Sequence, residues 1–332
     1  RKMNLQRIAN GAAMVIGTHA LMQEHVQYQN LVLVIVDEQH RFGVHQRLSL
    51  RDKGESGDYS PHQLILTATP IPRTLAMSAY ADLDVSIIDE LPPGRIPVQT
   101  VALANTRRDE VIARIAHLCL QGSQVYWVCT LINESEEIQA QSAQAAYDLL
   151  TTNLPSCSLA LLHSKVPQAA KKNIMQAFKA NQIQILVATT VIEVGVDVPN
   201  ASVMVIENAE RLGLAQLHQL RGRVGRGSAA SHCLLLYKSP LSAMAKERIE
   251  VMRQTDNGFL IAEKDLQLRG PGEILGTKQT GGIGYRIADL SRDASLLPEV
   301  IALSNQLLVD CPANAQHIIN RWVGGASRFA YA

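Results

Sequence analysis

The sequence has few aromatic residues, few cysteines and almost no excess of charge of either sign. Its five cysteines stand far apart and never form a Cys-x-x-Cys pair, which argues against a zinc site or a disulfide framework and favours reduced thiols. The net charge is only +1, so any surface that binds nucleic acid must be local. No apolar run is long enough to cross a bilayer, and no signal peptide opens the chain. These absences favour a cytoplasmic protein without a membrane partner.

A second absence concerns nucleotide chemistry. The sequence contains no Gly-x-x-x-x-Gly-Lys-[Ser/Thr] loop, the pattern with which many nucleotide hydrolases cradle phosphates. Its first residues, Arg1-Lys2-Met3, look like the interior of a domain. We therefore expect the chain to be a fragment of a longer protein.

Apolar residues make up 47% of the chain, enough to fill the cores of the two domains that 332 residues favour. Seven short runs are nearly continuous in Val, Ile and Leu, as in parallel strands that helices cover on both faces. Helical patterns lie between them, so the sequence predicts an α/β fold with parallel sheets. The strand runs are 31–36, 63–66, 124–129, 159–162, 183–187, 202–206 and 233–237, and the helical stretches include 107–120, 134–150, 168–180, 240–254 and 261–268.

A proline-rich stretch at 89–97 interrupts this alternation, because three prolines and a glycine cannot continue a helix or a central strand. We place a linker between two α/β domains there. Beyond Tyr237 the strand pattern ends, and two helices precede a glycine-rich segment. The predicted division is a first domain at 1–90, a linker at 91–104, a second domain at 105–239, a helical hairpin with the glycine-rich segment at 240–284, and a helical extension at 285–332.

Residues that could bind or hydrolyse a nucleotide follow the first two strand runs. Asp37 and Glu38 come directly after the first run, and ligands bind at the carboxyl ends of strands in open α/β sheets. One carboxylate there can hold Mg²⁺, and the other can orient or deprotonate the water that attacks a phosphate. Two solvated acids are an equally ordinary interpretation of the pair alone. Thr67 and Thr69 follow the second run and can bond a neighbouring loop, although threonines before a proline are also common in turns.

Hydroxyl side chains also end a strand run in the second predicted domain. Thr189 and Thr190 stand there and can bind a phosphate backbone. Gly195 then permits a close backbone approach, and Asp197 can accept a hydrogen bond from a ribose hydroxyl. Taken in isolation, the segment is equally consistent with a structural loop.

The segment 219–226, Gln-Leu-Arg-Gly-Arg-Val-Gly-Arg, is the most informative motif. Arg221, Arg223 and Arg226 lie close together, and guanidinium groups so packed repel each other unless an anion lies opposite. A triphosphate meets that requirement, and an arginine that stabilises the charge of a transferring phosphoryl group is a known device. A solvated basic turn is the less favoured alternative.

Together and in this order, the motifs resemble those of superfamily 2 helicases. The matches are 17–19 with motif Ib, 37–40 with motif II, 67–69 with motif III, 188–199 with motif V and 219–226 with motif VI. Within the superfamily, 37–44 and 68–75 are similar to RecG and the transcription-repair coupling factor, and 125–135 favours the RecG family. The resemblance extends over essentially the whole chain.

The resemblance implies two RecA-like domains, the first of them incomplete here, and the cofactors ATP and Mg²⁺. By motif match, Asp37 serves Mg²⁺ and Glu38 activates water. Arg223 and Arg226 contact the γ-phosphate from the second domain. The further nucleotide contacts that the match implies are Gly195, Asp197, which meets the ribose, and Gln219.

The resemblance also implies a DNA partner, either branched or duplex. The implied DNA contacts are Thr18, His19, Thr189 and Thr190. The glycine-rich stretch 269–281 is similar to the family's translocation motif, which couples nucleotide state to DNA movement; the plain alternative is a helical cap with a flexible loop. The residues implied in coupling are His40, Thr67, Thr69, Asp265, Arg269 and Gln279.

The function expected from the resemblance is that of an ATP-dependent DNA helicase or translocase, with a monomer favoured. Its substrates would be branched DNA, such as stalled replication forks and Holliday junctions, in recombination and repair. The family carries its phosphate-binding loop and a DNA-gripping wedge domain upstream of the region matched here, so we expect this chain alone not to hydrolyse ATP. The alternatives are a duplex translocase like the coupling factor, an RNA helicase of the Asp-Glu-x-His type, and a non-catalytic DNA-binding fragment.

Overall fold

The computed structural model describes residues 2–38, 53–54, 59–67, 84–90, 92–130, 136–189, 198–227, 230–269 and 292–322. The chain divides into two compact units, the first made of residues 1–70, 77–81 and 275–332 and the second of residues 71–76 and 82–274. Each unit contains a parallel sheet, so the predicted α/β fold class is confirmed. None of the described helices combines the length and the apolar character that a membrane span requires.

The first unit begins with two short helices, which precede a two-stranded sheet. The elements are helix α1 (Lys2–Ala9), a 3₁₀ helix (His19–Met22) and the parallel strands β1 (Leu33–Asp37) and β2 (His62–Leu66). Val34 and Val36 are buried beside Met22 and Leu31, whereas the alternate residues of β1 are exposed in the described part of the unit. This period of two is that of a strand with one covered face. The continuous apolar sequence had predicted cover on both faces.

The second unit is built on a six-stranded parallel sheet. The strands are β3 (Gln99–Ala104), β4 (Gln124–Cys129), β5 (Leu159–Leu162), β6 (Ile185–Ala188), β7 (Ala201–Glu207) and β8 (His232–Tyr237). Their order across the sheet is β3-β8-β7-β4-β6-β5. The inner strands β4, β6 and β7 are buried nearly throughout, which explains their uninterrupted apolar sequence.

Helices cover both faces of this sheet. They are α2 (Arg108–Leu120), α3 (Glu136–Asn153), α4 (Gln168–Lys179), α5 (Leu214–Arg221), α6 (Ala243–Gln254) and α7 (Gly258–Arg269). One hydrophobic core holds Ile115 of α2 and Leu150 of α3. The other holds Phe178 of α4, Leu217 of α5 and Met252 of α6. The resulting three layers are those of a RecA-like domain, as predicted.

Capping residues explain where the two helices after β8 begin. The sequence pattern predicts a helix from 240, but Ser242 Oγ accepts from the N–H of Ala245 at 3.2 Å, and α6 begins at Ala243. The second predicted helix starts at 261, but Asn257 Oδ1 accepts from the N–H of Phe259 at 2.9 Å. Asn257 thus satisfies a free donor of the first turn, and α7 begins earlier, at Gly258.

Strand β3 corrects the predicted linker. The linker assignment at 91–104 is wrong for Gln99–Ala104, which pairs with β8 from Gln99↔His232 to Ala104↔Tyr237. Its polar first residues and small alanines give a weak strand signal, and its partner lies far along the chain. The prediction of the other domain bounds stays untested by these contacts.

The first unit also contains the C-terminal helices α8 (Leu297–Asp310) and α9 (Pro312–Trp322). They pack against each other, and a 3₁₀ turn (Ala294–Leu296) leads into the first. The helical extension that the sequence predicts is therefore present.

Candidate nucleotide and nucleic-acid sites

The two acids lie at the carboxyl end of β1, beside the end of β2. Asp37 is the partner of Leu66 in the parallel register, so Glu38 and Thr67 follow at adjacent strand ends. Asp37 and Thr67 are exposed, and Glu38 is half-buried. The structure thus brings together the acid pair and the first threonine of the next motif, at the edge where α/β sheets bind ligands.

The backbone at Glu38 is left-handed, with φ at 56°. Residues other than glycine seldom adopt this conformation, and it costs on the order of 1–3 kcal/mol when the surroundings impose it. The turn ends the strand abruptly, so the side chains of Asp37 and Glu38 enter different environments. Two adjacent carboxylates with different surroundings can take different roles, one at a cation and one at a water.

Thr18 and His19 stand at the start of the 3₁₀ helix of the first unit. Both residues are exposed. The Thr18 carbonyl accepts from the N–H of Leu21 at 2.9 Å, while its hydroxyl makes no capping hydrogen bond to the helix. These features leave the two side chains accessible for the DNA contact that the sequence predicts.

A local positive charge lies where β5 and β6 end. The N–H of Thr189 donates to the carbonyl of Leu162 at 3.2 Å, and Thr189 is only 3% exposed. Next to Leu162, burial lowers the pKa of His163 below its ordinary value, and the charges of Lys171 and Lys165 lower it further. Lys171 Nζ also donates to the carbonyl of Ser164 at 2.7 Å, so the nearly neutral chain has local positive charge beside this strand end.

Helix α5 presents the arginine segment. Its three leucines are fully buried in the core, Gln219 and Arg223 are half-buried, and Arg226 is exposed. Arg226 Nε donates to the carbonyl of Gly222 at 3.2 Å. The buried leucines anchor α5 in the core, and the two arginines follow directly after its last residue.

Two glycines, one within this segment and one directly after it, are required by close approaches. Gly225 has a φ of 76°, and a Cβ there would lie 2.6 Å from Val98 Cγ2. A Cβ at Gly227 would lie 2.6 Å from the carbonyl oxygen of Pro199. Side chains at these positions would push the arginine segment away from its neighbours.

Arg221 differs from the other two arginines of the motif. It is 3% exposed, and its Nη1 donates to the carbonyls of Met252 at 3.0 Å and Thr255 at 2.9 Å. Those carbonyls belong to the end of α6, so Arg221 fastens the end of α5 to the helical hairpin. The interpretation that all three guanidinium groups face one anion is therefore wrong for Arg221, because backbone carbonyls already neutralise part of its field.

A second arginine fastens the other end of the same segment. Arg248 of α6 donates from Nη1 to the carbonyl of Leu212 and from Nη2 to that of Glu210, both at 2.8 Å. These carbonyls lie in the turn that leads into α5. Sequence reasoning missed Arg248, although a signal exists: it stands on the face of α6 that buries Ala245, Ile249 and Met252. A charge on a core-facing stripe must have buried partners.

The remaining predicted residues divide into described and undescribed positions. Asp265 of α7 is 8% exposed, and Arg269 is the last residue of α7. The others lie outside the described residues: His40, Thr69, Thr190, Gly195, Asp197 and Gln279. Their roles stay predictions.

Three protein families match successive parts of the chain. The DEAD/DEAH box helicase family matches residues 1–78, and the helicase conserved C-terminal domain family matches residues 109–228. The family described as ATP-dependent DNA helicase RecG, domain 3, C-terminal, matches residues 255–320. The last match covers α7, α8 and most of α9.

Curated relatives and solved structures agree with these matches. The ATP-dependent DNA helicase RecG of Escherichia coli K12 is 57% identical over 98% of this chain and 48% of its own length. That of Pasteurella multocida is 59% identical over 97% and 47%. A structure of RecG bound to a three-way DNA junction has a TM-score of 0.65 at 45% identity, covering 89% of this chain and 37% of that one. The Mycobacterium smegmatis helicase Lhr, at 19% identity, 75% and 35% coverage and a TM-score of 0.55, shares the fold.

These matches run in one order along the whole chain. They place the acids of β1 in the DEAD/DEAH box match and the arginine segment in the helicase C-terminal match. The chain spans about half the length of the curated relatives it matches, 48% for the relative from E. coli K12. The chain belongs to the RecG family.

Proposed function

We propose that the protein containing this chain is an ATP-dependent helicase that remodels branched DNA. The observation that carries the proposal is the difference among the arginines of 219–226: Arg221 is buried and bonded to the hairpin, Arg223 is half-buried and Arg226 is exposed. An arginine segment bonded to a helical hairpin can link phosphate chemistry to movement of that hairpin. The relative whose structure holds a three-way DNA junction supports branched DNA as the substrate.

The acid pair supplies the hydrolytic half of the proposal. Mg²⁺ is commonly held by one or two carboxylates together with phosphate oxygens, and the exposed Asp37 at a strand end suits that role. When bound, the ion would neutralise charge on the nucleotide phosphates. Glu38, half-buried and held by its left-handed backbone, would orient or deprotonate the attacking water. Thr67 at the adjacent strand end would sense the state of the same site.

The arginine segment supplies the second half. Arg223 and Arg226 would stabilise the charge of the transferring phosphoryl group, with Gln219, Gly195 and Asp197 as further nucleotide contacts. Arg221 and Arg248 together bond both ends of α5 to α6, so a shift of α5 on hydrolysis would pull on the hairpin. Movement of a packed helix is a recognised way to carry a local change across a domain.

Two of the DNA contacts proposed from the sequence are exposed, and a third is buried. Thr18 and His19 are exposed in the first unit, and Thr189 adjoins the basic strand end of the second. Because Thr189 is buried and its N–H donates to the Leu162 carbonyl, we propose that the neighbouring Lys165, which is exposed, faces the phosphates at this strand end. Asp265 and Arg269 on α7 would couple nucleotide state to movement, together with His40, Thr67, Thr69 and Gln279, and Thr190 would be a further DNA contact.

Three substrates given to the full-length protein test the proposal. We expect ATP hydrolysis and strand separation on a three-way DNA junction, much less on linear duplex DNA, and none on an RNA junction of the same shape. Equal activity on linear duplex would favour a duplex translocase, and activity on the RNA junction would favour an RNA helicase. The 332-residue chain alone, assayed beside the full-length protein, should hydrolyse ATP below about one turnover per second. Sedimentation of the full-length protein checks the expected monomer.

A further inference from the structure

A cluster around Glu207 lies at the carboxyl end of the second unit's sheet. Glu207 is the last residue of β7, and its Oε1 accepts from Arg108 Nη2 at 2.5 Å and from Trp127 Nε1 at 2.9 Å. The guanidinium carbon of Arg108 stands 5.6 Å from the centre of the Trp127 ring. One carboxylate thereby joins residues from the start of α2 and the middle of β4.

At the same end of the sheet, Thr130 connects the backbones of the neighbouring strands β4 and β7. Thr130, fully buried just after β4, donates its hydroxyl to the carbonyl of Glu207 and stands 3.3 Å from that of Asn208. Asn208 is left-handed, with φ at 49°, and turns the chain away from β7. The exits of β4 and β7 are therefore held together at a strained residue.

Stability alone is a weak reason for this arrangement. The side chains of Arg108 and Glu207 are only 23% and 13% exposed. Removing two charges from water costs about as much as their attraction returns, and apolar residues of similar size often serve stability better. What an ion pair adds is a defined geometry, because guanidinium and carboxylate meet in few orientations.

The ion pair fixes the position of the segment that connects β7 to α5. After Asn208 come a 3₁₀ turn (Ala209–Arg211) and Gly213, which precedes the first residue of the helix. No other described side-chain bond joins Glu207 to α2. Any change in the exit of β7 would be passed along this short path to Arg223 and Arg226.

We propose that Arg108, Trp127 and Glu207 are positioning residues for phosphoryl transfer. They hold the exit of β7 so that Arg223 and Arg226, just past the end of α5, stand in the geometry of the transition state. The inference rests on the proposed ATP hydrolysis and adds residues that lie outside motifs Ib, II, III, V and VI. It differs from a structural role in what it predicts: a loss in turnover without a loss in nucleotide affinity or in stability.

The test uses Glu207→Gln and Arg108→Gln in the full-length protein. Glutamine at 207 keeps the size of the side chain and an acceptor for the Trp127 indole, but removes the ion pair. Since a misplacement of about 1 Å can cost about a hundredfold in rate, we expect kcat of DNA-stimulated hydrolysis to fall at least about tenfold. The KM for ATP should stay within about twofold and the melting temperature within about 3 °C. The double variant should be no slower than the slower single variant, because both remove one interaction.

The neighbouring exposed pair provides a matched control. Arg107 and Glu110 form an ion pair one residue away, with side chains 54% and 63% exposed, and Glu110→Gln should leave kcat unchanged. Normal kcat in Glu207→Gln would overturn the inference, as would a loss of kcat that only accompanies a lower melting temperature or a higher KM. A wild type without DNA-stimulated hydrolysis would overturn the proposed function itself, and this outcome is visible before any variant is made.

Discussion

The acid pair at the end of β1 and the arginine segment at the end of α5 are supported in opposite ways. Strand register and one left-handed residue place Asp37 and Glu38. Arg223 and Arg226 instead follow a helix whose leucines are buried and whose ends are bonded to the hairpin. A site of the first kind depends on adjacent residues, and one of the second kind depends on partners far along the chain. Substitutions should therefore affect chemistry alone at the acids, but separate into chemical and structural effects along the arginine segment.

The largest effect is expected at Arg226. Changing Arg226 to Ala in the full-length protein should lower ATP turnover by about 10³–10⁵, the range for an arginine that stabilises phosphoryl-transfer charge. Arg226 is exposed, so melting temperature should not change. Steady-state hydrolysis and nucleotide binding measured on the same preparation check this. Arg253→Ala, on the exposed side of α6, is the control. Collapse of nucleotide binding with normal turnover at saturation would assign Arg226 to ground-state binding instead.

A smaller loss of ATP turnover is expected when Glu38 of the acid pair is replaced. Glu38→Gln keeps the shape of the side chain but cannot take a proton, so turnover should fall by about 10²–10⁴. Because strand register rather than the carboxylate places this residue, thermal stability should match that of the wild type. Phosphate release at saturating ATP and DNA, with melting curves, provides the measurement. Unchanged turnover would show that Glu38 is not the base.

Replacing Arg221 should lower stability, whereas replacing Arg226 of the same motif should lower turnover. Replacing Arg221 by Met leaves the carbonyls of Met252 and Thr255 buried without this donor, and an unsatisfied buried group costs about 1–3 kcal/mol. We expect the free energy of unfolding of the second unit to fall by about 2–5 kcal/mol. Urea unfolding followed by Trp127 fluorescence, in a Trp322→Phe background, measures it.

The control for Arg221 is Arg253→Met. Arg253 forms an exposed pair with Glu250 at 2.8 Å, and such pairs contribute about 0–1 kcal/mol. Equal destabilisation by the two substitutions would contradict a specific anchoring role for Arg221.

The smallest predicted effect is a pH dependence that arises beside Arg221. Burial, followed by the charge of Arg221, lowers the pKa of His218 from 6.5 to about 4. Between these values the unfolded chain binds a proton that the folded chain refuses, so stability falls as pH drops through this window and levels off below it. The loss is at most about 3 kcal/mol. His218→Gln should remove this slope in urea titrations at several pH values. The exposed His117→Gln should keep it.

Prediction from sequence succeeded best where neighbouring residues carry the information. The bounds of β4 and β5 agree with the apolar runs, because buried parallel strands need continuous apolar sequence. It failed at β3, whose edge position tolerates polar and small residues. The sequence pattern also misplaced the first residues of the two helices after β8. There the side-chain oxygens of Ser242 and Asn257 accept hydrogen bonds from first-turn N–H groups and so set where each helix begins.

The sequence by itself determined the fold class, the order of the motifs and the placing of acids and threonines at strand ends. Those features depend on local composition and on the rule that ligands bind at the carboxyl ends of the parallel strands in open α/β sheets. Only the tertiary structure decided which arginine of 219–226 is buried, that Arg248 bonds the turn before α5, and that Arg108, Trp127 and Glu207 meet. The reason is physical: a buried charge is tolerated only where carbonyls or an opposite charge converge on it, and those partners come from elements far apart in sequence.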